Sequence, residues 1–183
     1  MLDAATTEFA AVGLAGARVD RIADTAGVNK SQLYYYFKSK DGLFDAVLRD
    51  NVEALLDAVP LSGEDLPGYA VQLYDYYIER PELLRLATWN RLERVPKGDL
   101  FAEFGDHDVH KLQAIADAQR AGRVDPTLAP SDAFSLVIAV AMTWSPVNVT
   151  YAASADEAES EHTRRRAVIR EALSRALAPN DHR

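Results

Sequence analysis

The chain has 183 residues and no cysteine, which excludes disulfide staples and thiol chemistry and leaves length for one compact domain or two small ones. Its 28 acidic and 20 basic residues give a formal net charge of −8, which speaks against a general nucleic-acid binder but is compatible with one that gathers positive charge on a single surface. The longest apolar run, Leu136 to Met142, falls far short of the roughly 18 residues a spanning helix needs, and no basic-then-apolar leader precedes Leu2, so a cytoplasmic protein with no membrane partner is expected.

Leu2, Ala5, Phe9 and Val12 fall on one helical stripe, and Gly13 and Gly16 mark its end. The next helix opens at Ala17-Arg18, where no hydroxyl or amide is available to cap it, a deficit of about 1 kcal/mol. From Val19 to Lys40 the sequence reads V-D-R-I-A-D-T-A-G-V-N-K-S-Q-L-Y-Y-Y-F-K-S-K. Ile22, Ala23 and Ala26 give the first part a small, apolar face, and Gly27 permits a turn that a Cβ would resist. Val28 sits at the elbow, and Leu33, Tyr36 and Phe37 follow at helical spacing. Asn29 and Gln32 are spaced as a capping box for the second helix. Its outer face is Lys30, Ser31, Gln32, Tyr34 and Tyr35, and no acid occurs from Gly27 to Lys40. The pattern is a helix-turn-helix whose second helix presents donors to a phosphate surface.

The run G-V-N-K-S-Q-L-Y-Y-Y-F-K-S-K-D-G-L-F resembles the signature of the tetracycline-repressor (TetR) family of transcriptional regulators, over about residues 2–52. The resemblance implies an all-α homodimer. Its N-terminal domain would be a three-helix, homeodomain-like helix-turn-helix unit, and its C-terminal helical domain would bind a small-molecule inducer and dimerise through the last two helices. By position in the motif, Ser31 and Gln32 would face base edges, Tyr34 and Tyr36 would meet the DNA backbone, and Lys40 would meet a phosphate. With Asn29, Lys30 and Arg18, which stands where many members have a Thr or Ser, these make up the candidate DNA-binding set. Many members also carry a basic arm ahead of the first helix, whereas this sequence starts at Met1-Leu2.

Ser39 is placed to cap a fourth helix whose apolar positions, Leu43, Phe44, Val47, Leu48, Val52, Leu55 and Leu56, run to Pro60. The division expected is a DNA-binding domain over 1–40, a bridging helix over 41–59 that acts as a lever, and a ligand-binding and dimerisation domain over 60–183. Breakers from Pro60 to Gly68 read as a loop, Pro81 as the first residue of a helix, and Gly122 as a helix stop. Pro130-Ser131-Asp132 opens a helix from about Ala133 to Ser145 that is apolar nearly all round and should be buried on several sides. Ser154-x-x-Glu157 reads as a capping box for a final helix ending near Ala178, with Val168, Ile169, Ala172, Leu173, Ala176 and Leu177 as its stripe.

Aromatics of the C-terminal part suggest a pocket for an apolar or aromatic effector, with Tyr74, Tyr77, Trp89, Phe101, Phe104 and Trp144 as candidate lining; the plain alternative for each is core packing. His107 and His110, near Glu103, Asp106 and Asp108, have a spacing that metal ligands use, but a polar segment after Gly105 reads more simply as a solvated helix start. No G-x-S-x-G, G-x-x-x-x-G-K-S or H-E-x-x-H occurs, so neither a catalytic site nor a cofactor or metal is expected. A ligand-responsive repressor bound to a palindromic, double-stranded operator is the reading that follows. Its alternatives are a constitutive DNA-binding dimer and an α-helical metal-dependent enzyme built on His107 and His110.

Overall fold

Helical spacing of apolar residues does locally what it predicts. The computed structural model describes residues 1–101 and 107–179, of His107 and Asp108 the backbone only, and over these it contains nine helices and no strand. They are α1 Leu2–Gly16, α2 Val19–Ala26, α3 Lys30–Phe37, α4 Lys40–Ala58, α5 Leu66–Glu79, α6 Pro81–Glu93, α7 His107–Arg120, α8 Pro130–Ala141 and α9 Glu159–Ala176. Two compact units divide them: α1 to α4 with α6 (Met1–Asp57 and Arg80–Phe104), and α5 with α7 to α9 (Ala58–Glu79 and Gly105–Arg183).

In the first unit Ala5, Phe9, Ile22, Leu33, Leu43, Phe44, Val47 and Leu48 are fully buried, and Phe9 meets Phe44 edge-on with ring centroids 5.1 Å apart. α1 is broken at Gly13, which has φ 72° and ψ −179°. The break frees two backbone donors beyond it, and Glu93 from the end of α6 accepts both: Leu14 N and Ala15 N donate to its Oε2 at 2.8 and 3.1 Å. Trp89, one turn earlier on α6, donates its indole N–H to Ala10 O at 3.3 Å. A Cβ at Gly13 would lie 2.7 Å from Glu93 Oε1 and 2.8 Å from the Trp89 ring, so the close approach of α6 requires glycine there. Next to Glu93, Arg94 pairs with Asp45 of α4 and lies over the Phe44 ring, 5.5 Å from its centroid. The end of α6 therefore grips α1 and α4 together.

In the second unit α5 packs on α8 and α9, and α7 on α8. Leu73, Ile115, Ala118, Ala133, Val137, Ala141, Ile169 and Leu173 are wholly buried there. Asp65 and Asp75 reach α9 through ion pairs with Arg170 and Arg166. The loop before α5 passes so near α7 that a Cβ at Gly63 would meet Ala114 O at 2.4 Å.

Four local expectations are revised. α8 stops at Ala141, four residues before Ser145, because residues 142–145 turn instead: Thr143 N donates to Val140 O and Ser145 N to Met142 O. It is buried along one stripe, Ala133, Val137 and Ala141, and leaves Leu136 40% exposed. α9 begins at Glu159 with Ala158 at its cap and no side-chain cap, so Ser154 and Glu157 form no capping box. Glu157 is instead drawn to Arg165 and Tyr151. In α9 the buried positions are His162, Arg165, Ile169 and Leu173, and Val168 stands 45% exposed beside exposed Ala172 and Ala176.

Candidate functional site

α3 buries a single residue, Leu33. Phe37 is half-buried and the rest of the helix faces water, so backbone caps must supply much of what fixes its direction. At its start Asn29 Oδ1 accepts from Gln32 N at 2.8 Å while Gln32 Oε1 accepts from Asn29 N at 3.1 Å, the capping box read from the sequence. Gly27 precedes it in the left-handed region, φ 66°, where Val28 N folds back to Ala23 O at 3.0 Å. At the far end Lys38 has φ 66°, and its ammonium donates to Tyr35 O at 2.6 Å and lies over the Tyr35 ring. Ser39 Oγ then accepts from Gly42 N at 2.9 Å and starts α4.

Arg18, Asn29, Lys30, Ser31, Gln32, Tyr34 and Tyr36 are all exposed. Tyr36 corrects one expectation: its helical spacing from Leu33 suggests core, yet it is 60% exposed and stacks edge-on against Tyr35 at 5.2 Å. Arg18 precedes α2 without a side-chain cap, and its own N–H donates to Glu8 Oε1 at 3.0 Å. Gln32 has its oxygen committed to the cap, which leaves its amide N–H₂ as the half suited to a base-edge acceptor. Lys40 is only half-exposed, and its ammonium donates to Ala15 O and Ala17 O at 3.3 and 3.1 Å, closing the C-terminal end of α1.

One residue of this surface was not marked by the sequence. Asp20 of α2 pairs with Lys30 at 2.8 Å, so the acid-free run from Gly27 to Lys40 meets a carboxylate from outside the run. The Asp20 hydrogen bond and charge hold the Lys30 ammonium above its ordinary pKa, and Lys30 holds the Asp20 carboxyl below its own. Tyr35, 71% exposed, is the most open of the three tyrosines. Tyr34 and Tyr35 face out as their spacing predicts, and Tyr36 joins them. A surface with these amine, hydroxyl, amide and phenol donors and no acid in the first turn of its helix can meet phosphates and base edges.

The aromatic candidates are divided between the units. Tyr74, Tyr77 and Trp144 belong to the second, Trp89 and Phe101 to the first, and Phe104 lies outside the described residues. Trp89 is engaged with α1 as described, and Phe101 is half-buried with its N–H on Asp99 Oδ1. Tyr77 is buried, which pushes its phenol far above the usual range. Tyr74 is fully buried, edge-on to Trp144 at 6.4 Å, and its hydroxyl is 2.7 Å from His162 Nδ1. Arg165 lies beside that pair with its side chain 2% exposed, and its Nη2 meets Glu157 Oε2 at 2.5 Å. Burial works against the Glu157 charge, yet hydrogen bonds from Arg165 and Tyr151 hold its carboxyl below the ordinary range. Of the metal reading, Glu103 and Asp106 lie outside the described residues, among which no three His, Asp or Glu side chains are grouped to hold an ion.

Two family models match this chain: "Bacterial regulatory proteins, tetR family" over residues 1–47 and "Tetracyclin repressor-like, C-terminal domain" over residues 65–175. The HTH-type transcriptional repressor SCO4008 of Streptomyces coelicolor is 36% identical over 151 residues, covering 80% of this chain and 77% of the relative. The HTH-type transcriptional regulator RutR of Escherichia coli is 32% identical over 138 residues, covering 69% and 63%. Among solved structures, the Streptomyces coelicolor protein SCO4942, described as a transcriptional regulator, superimposes with a TM-score of 0.78 at 37% identity, covering 98% of this chain and 97% of that one.

Proposed function

The chain belongs to the TetR family of bacterial transcriptional regulators, and on that premise we propose that it is a repressor that binds a palindromic operator as a homodimer and is released by a small effector. What carries the reading is the α3 surface, where Leu33 and half-buried Phe37 anchor a helix of otherwise exposed donors and aromatics held between two capped ends. Ser31 and the Gln32 amide would read base edges. Arg18, Lys30, Tyr34, Tyr35 and Tyr36 would meet phosphates, Asn29 would fix the start of the helix that presents them, and Lys40 would hold the end of α1 beside it.

One such helix reads too few base pairs to select a site, whereas two held one helical turn of DNA apart, about 34–36 Å, read successive major grooves. The apolar faces of α8 and α9 left open by Leu136, Val168, Ala172 and Ala176 supply a surface for the second copy. Among the described residues no helix is long and apolar enough to cross a membrane, which accords with work in the cytoplasm. Selection from random-sequence DNA at two salt concentrations tests the proposal. It should return a two-fold symmetric site whose binding weakens steeply with salt, and selection without any preferred sequence refutes it.

A further inference from the structure

Arg165 is the one buried Arg or Lys among the described residues. A guanidinium offers five N–H donors in a planar fork and is costly to bury unless they are used. Here Nη2 meets Glu157 and Nη1 reaches the Tyr74 hydroxyl at a long 3.5 Å, while the buried Nε has no partner. The Ser145 hydroxyl, adjacent in sequence to Trp144, is likewise buried and unpartnered. The Trp144 and Tyr151 rings lie over the guanidinium, their centroids 5.9 and 5.4 Å from its carbon.

Glu157 is an incomplete partner for this group. It engages one guanidinium nitrogen instead of taking the side-on pair of Nη2 and Nε, and its other oxygen accepts from the exposed Tyr151 hydroxyl at 2.9 Å. Its side chain is 21% exposed and sits in the connection 142–158, so it can turn to water, whereas Arg165 on the buried stripe of α9 cannot follow. A purely structural role would be served as well by an apolar side chain of similar volume.

We propose that Arg165 anchors the carboxylate of an aromatic acid, which displaces Glu157 and takes Nη2 and Nε side-on. This rests on the reading of the second unit as an effector-binding domain. The exchange conserves charge at the buried site, since one carboxylate leaves as another arrives, and an uncharged amide does not replace it. A carboxylate paired side-on is coplanar with the guanidinium, so a ring joined to it runs alongside the faces of Trp144 and Tyr151.

Titration calorimetry on the full chain with 2-naphthoate and with 2-naphthamide tests this. The acid is expected to bind about tenfold or more tightly than the amide, and Arg165→Met to abolish that difference, with Arg165→Lys retaining part of it. Glu157→Gln carries the sign that matters: removal of the competing carboxylate tightens naphthoate binding severalfold, whereas a merely structural ion pair predicts no gain. Equal binding of acid and amide, no binding of naphthoate, or unchanged or weaker binding in Glu157→Gln overturns the proposal, and the last test stands even if Arg165→Met does not fold. An uncharged compound that releases the selected operator equally well from wild type and Arg165→Lys overturns this inference alone. A diverse library in which no compound alters operator binding overturns the effector reading with it.

Discussion

Gly13→Ala puts the packing of the first unit under direct strain. The alanine must adopt φ 72° and ψ −179°, a region open almost only to glycine, at a cost of about 1–3 kcal/mol. Its methyl must also share space with Glu93 Oε1 at 2.7 Å and the Trp89 ring at 2.8 Å, and overpacking of this kind costs about 1–3 kcal/mol more. Neither neighbour can withdraw freely, because Trp89 donates to Ala10 O and Glu93 accepts from Leu14 and Ala15. The sum, about 2–6 kcal/mol, is a large share of the roughly 5–15 kcal/mol that holds a domain folded. At a urea dependence of about 2 kcal/mol per molar, the midpoint should fall by about 1–3 M. The chain has two tryptophans, so in a Trp144→Phe background the emission belongs to Trp89, against which the new methyl is pressed. Gly27→Ala is the control: φ is 66° there too, but a Cβ meets nothing within 4 Å, so only a backbone cost of about 1–2 kcal/mol is expected. A Gly13→Ala midpoint equal to that of Gly27→Ala would refute the clash, and one equal to wild type would refute the whole account.

Asp20→Asn releases Lys30 and should raise affinity for all DNA sequences alike, most at low salt, in a filter or anisotropy titration. Asp20 titrates below its ordinary value and Lys30 above it, so the pair is intact between the two. The difference from wild type should therefore be flat from about pH 6 to 8 and close only as pH falls through the depressed Asp20 value. Gln32→Ala should relax preference at one base position by about 1–3 kcal/mol, read by selection on mutated operators, while Asn29→Ala loses about 1 kcal/mol of helix stability with preference retained. Leu136→Glu, on the open face of α8, should shift the chain from dimer to monomer in sedimentation and weaken operator binding without altering helix content; a dimer that persists places the interface elsewhere.

The parts of this structure legible in the sequence are those written by short-range chemistry. Asn29 and Gln32 are three residues apart and bond only to each other's backbone, Gly27 needs its own positive φ, and Ser39 reaches no farther than Gly42, so each is decided within one turn of chain. Ser154-x-x-Glu157 has the same local form and fails, because a buried cation eight residues on competes for the carboxylate and wins. The same limit hid Asp20, whose neighbour Lys30 is ten residues away, and the grip of Glu93 on α1, which joins residues 78 and 79 positions apart. Periodicity fares better with faces than with chemistry. His162, Arg165, Ile169 and Leu173 share one stripe at helical spacing, so the inward turn of Arg165 was there to be read, but a stripe sought among apolar side chains alone passes over a cation. A cation on an otherwise apolar stripe is therefore the signal to weigh: spacing, and not charge, decides which way the helix turns it, and the cost of burying it then asks what anion it was placed to meet.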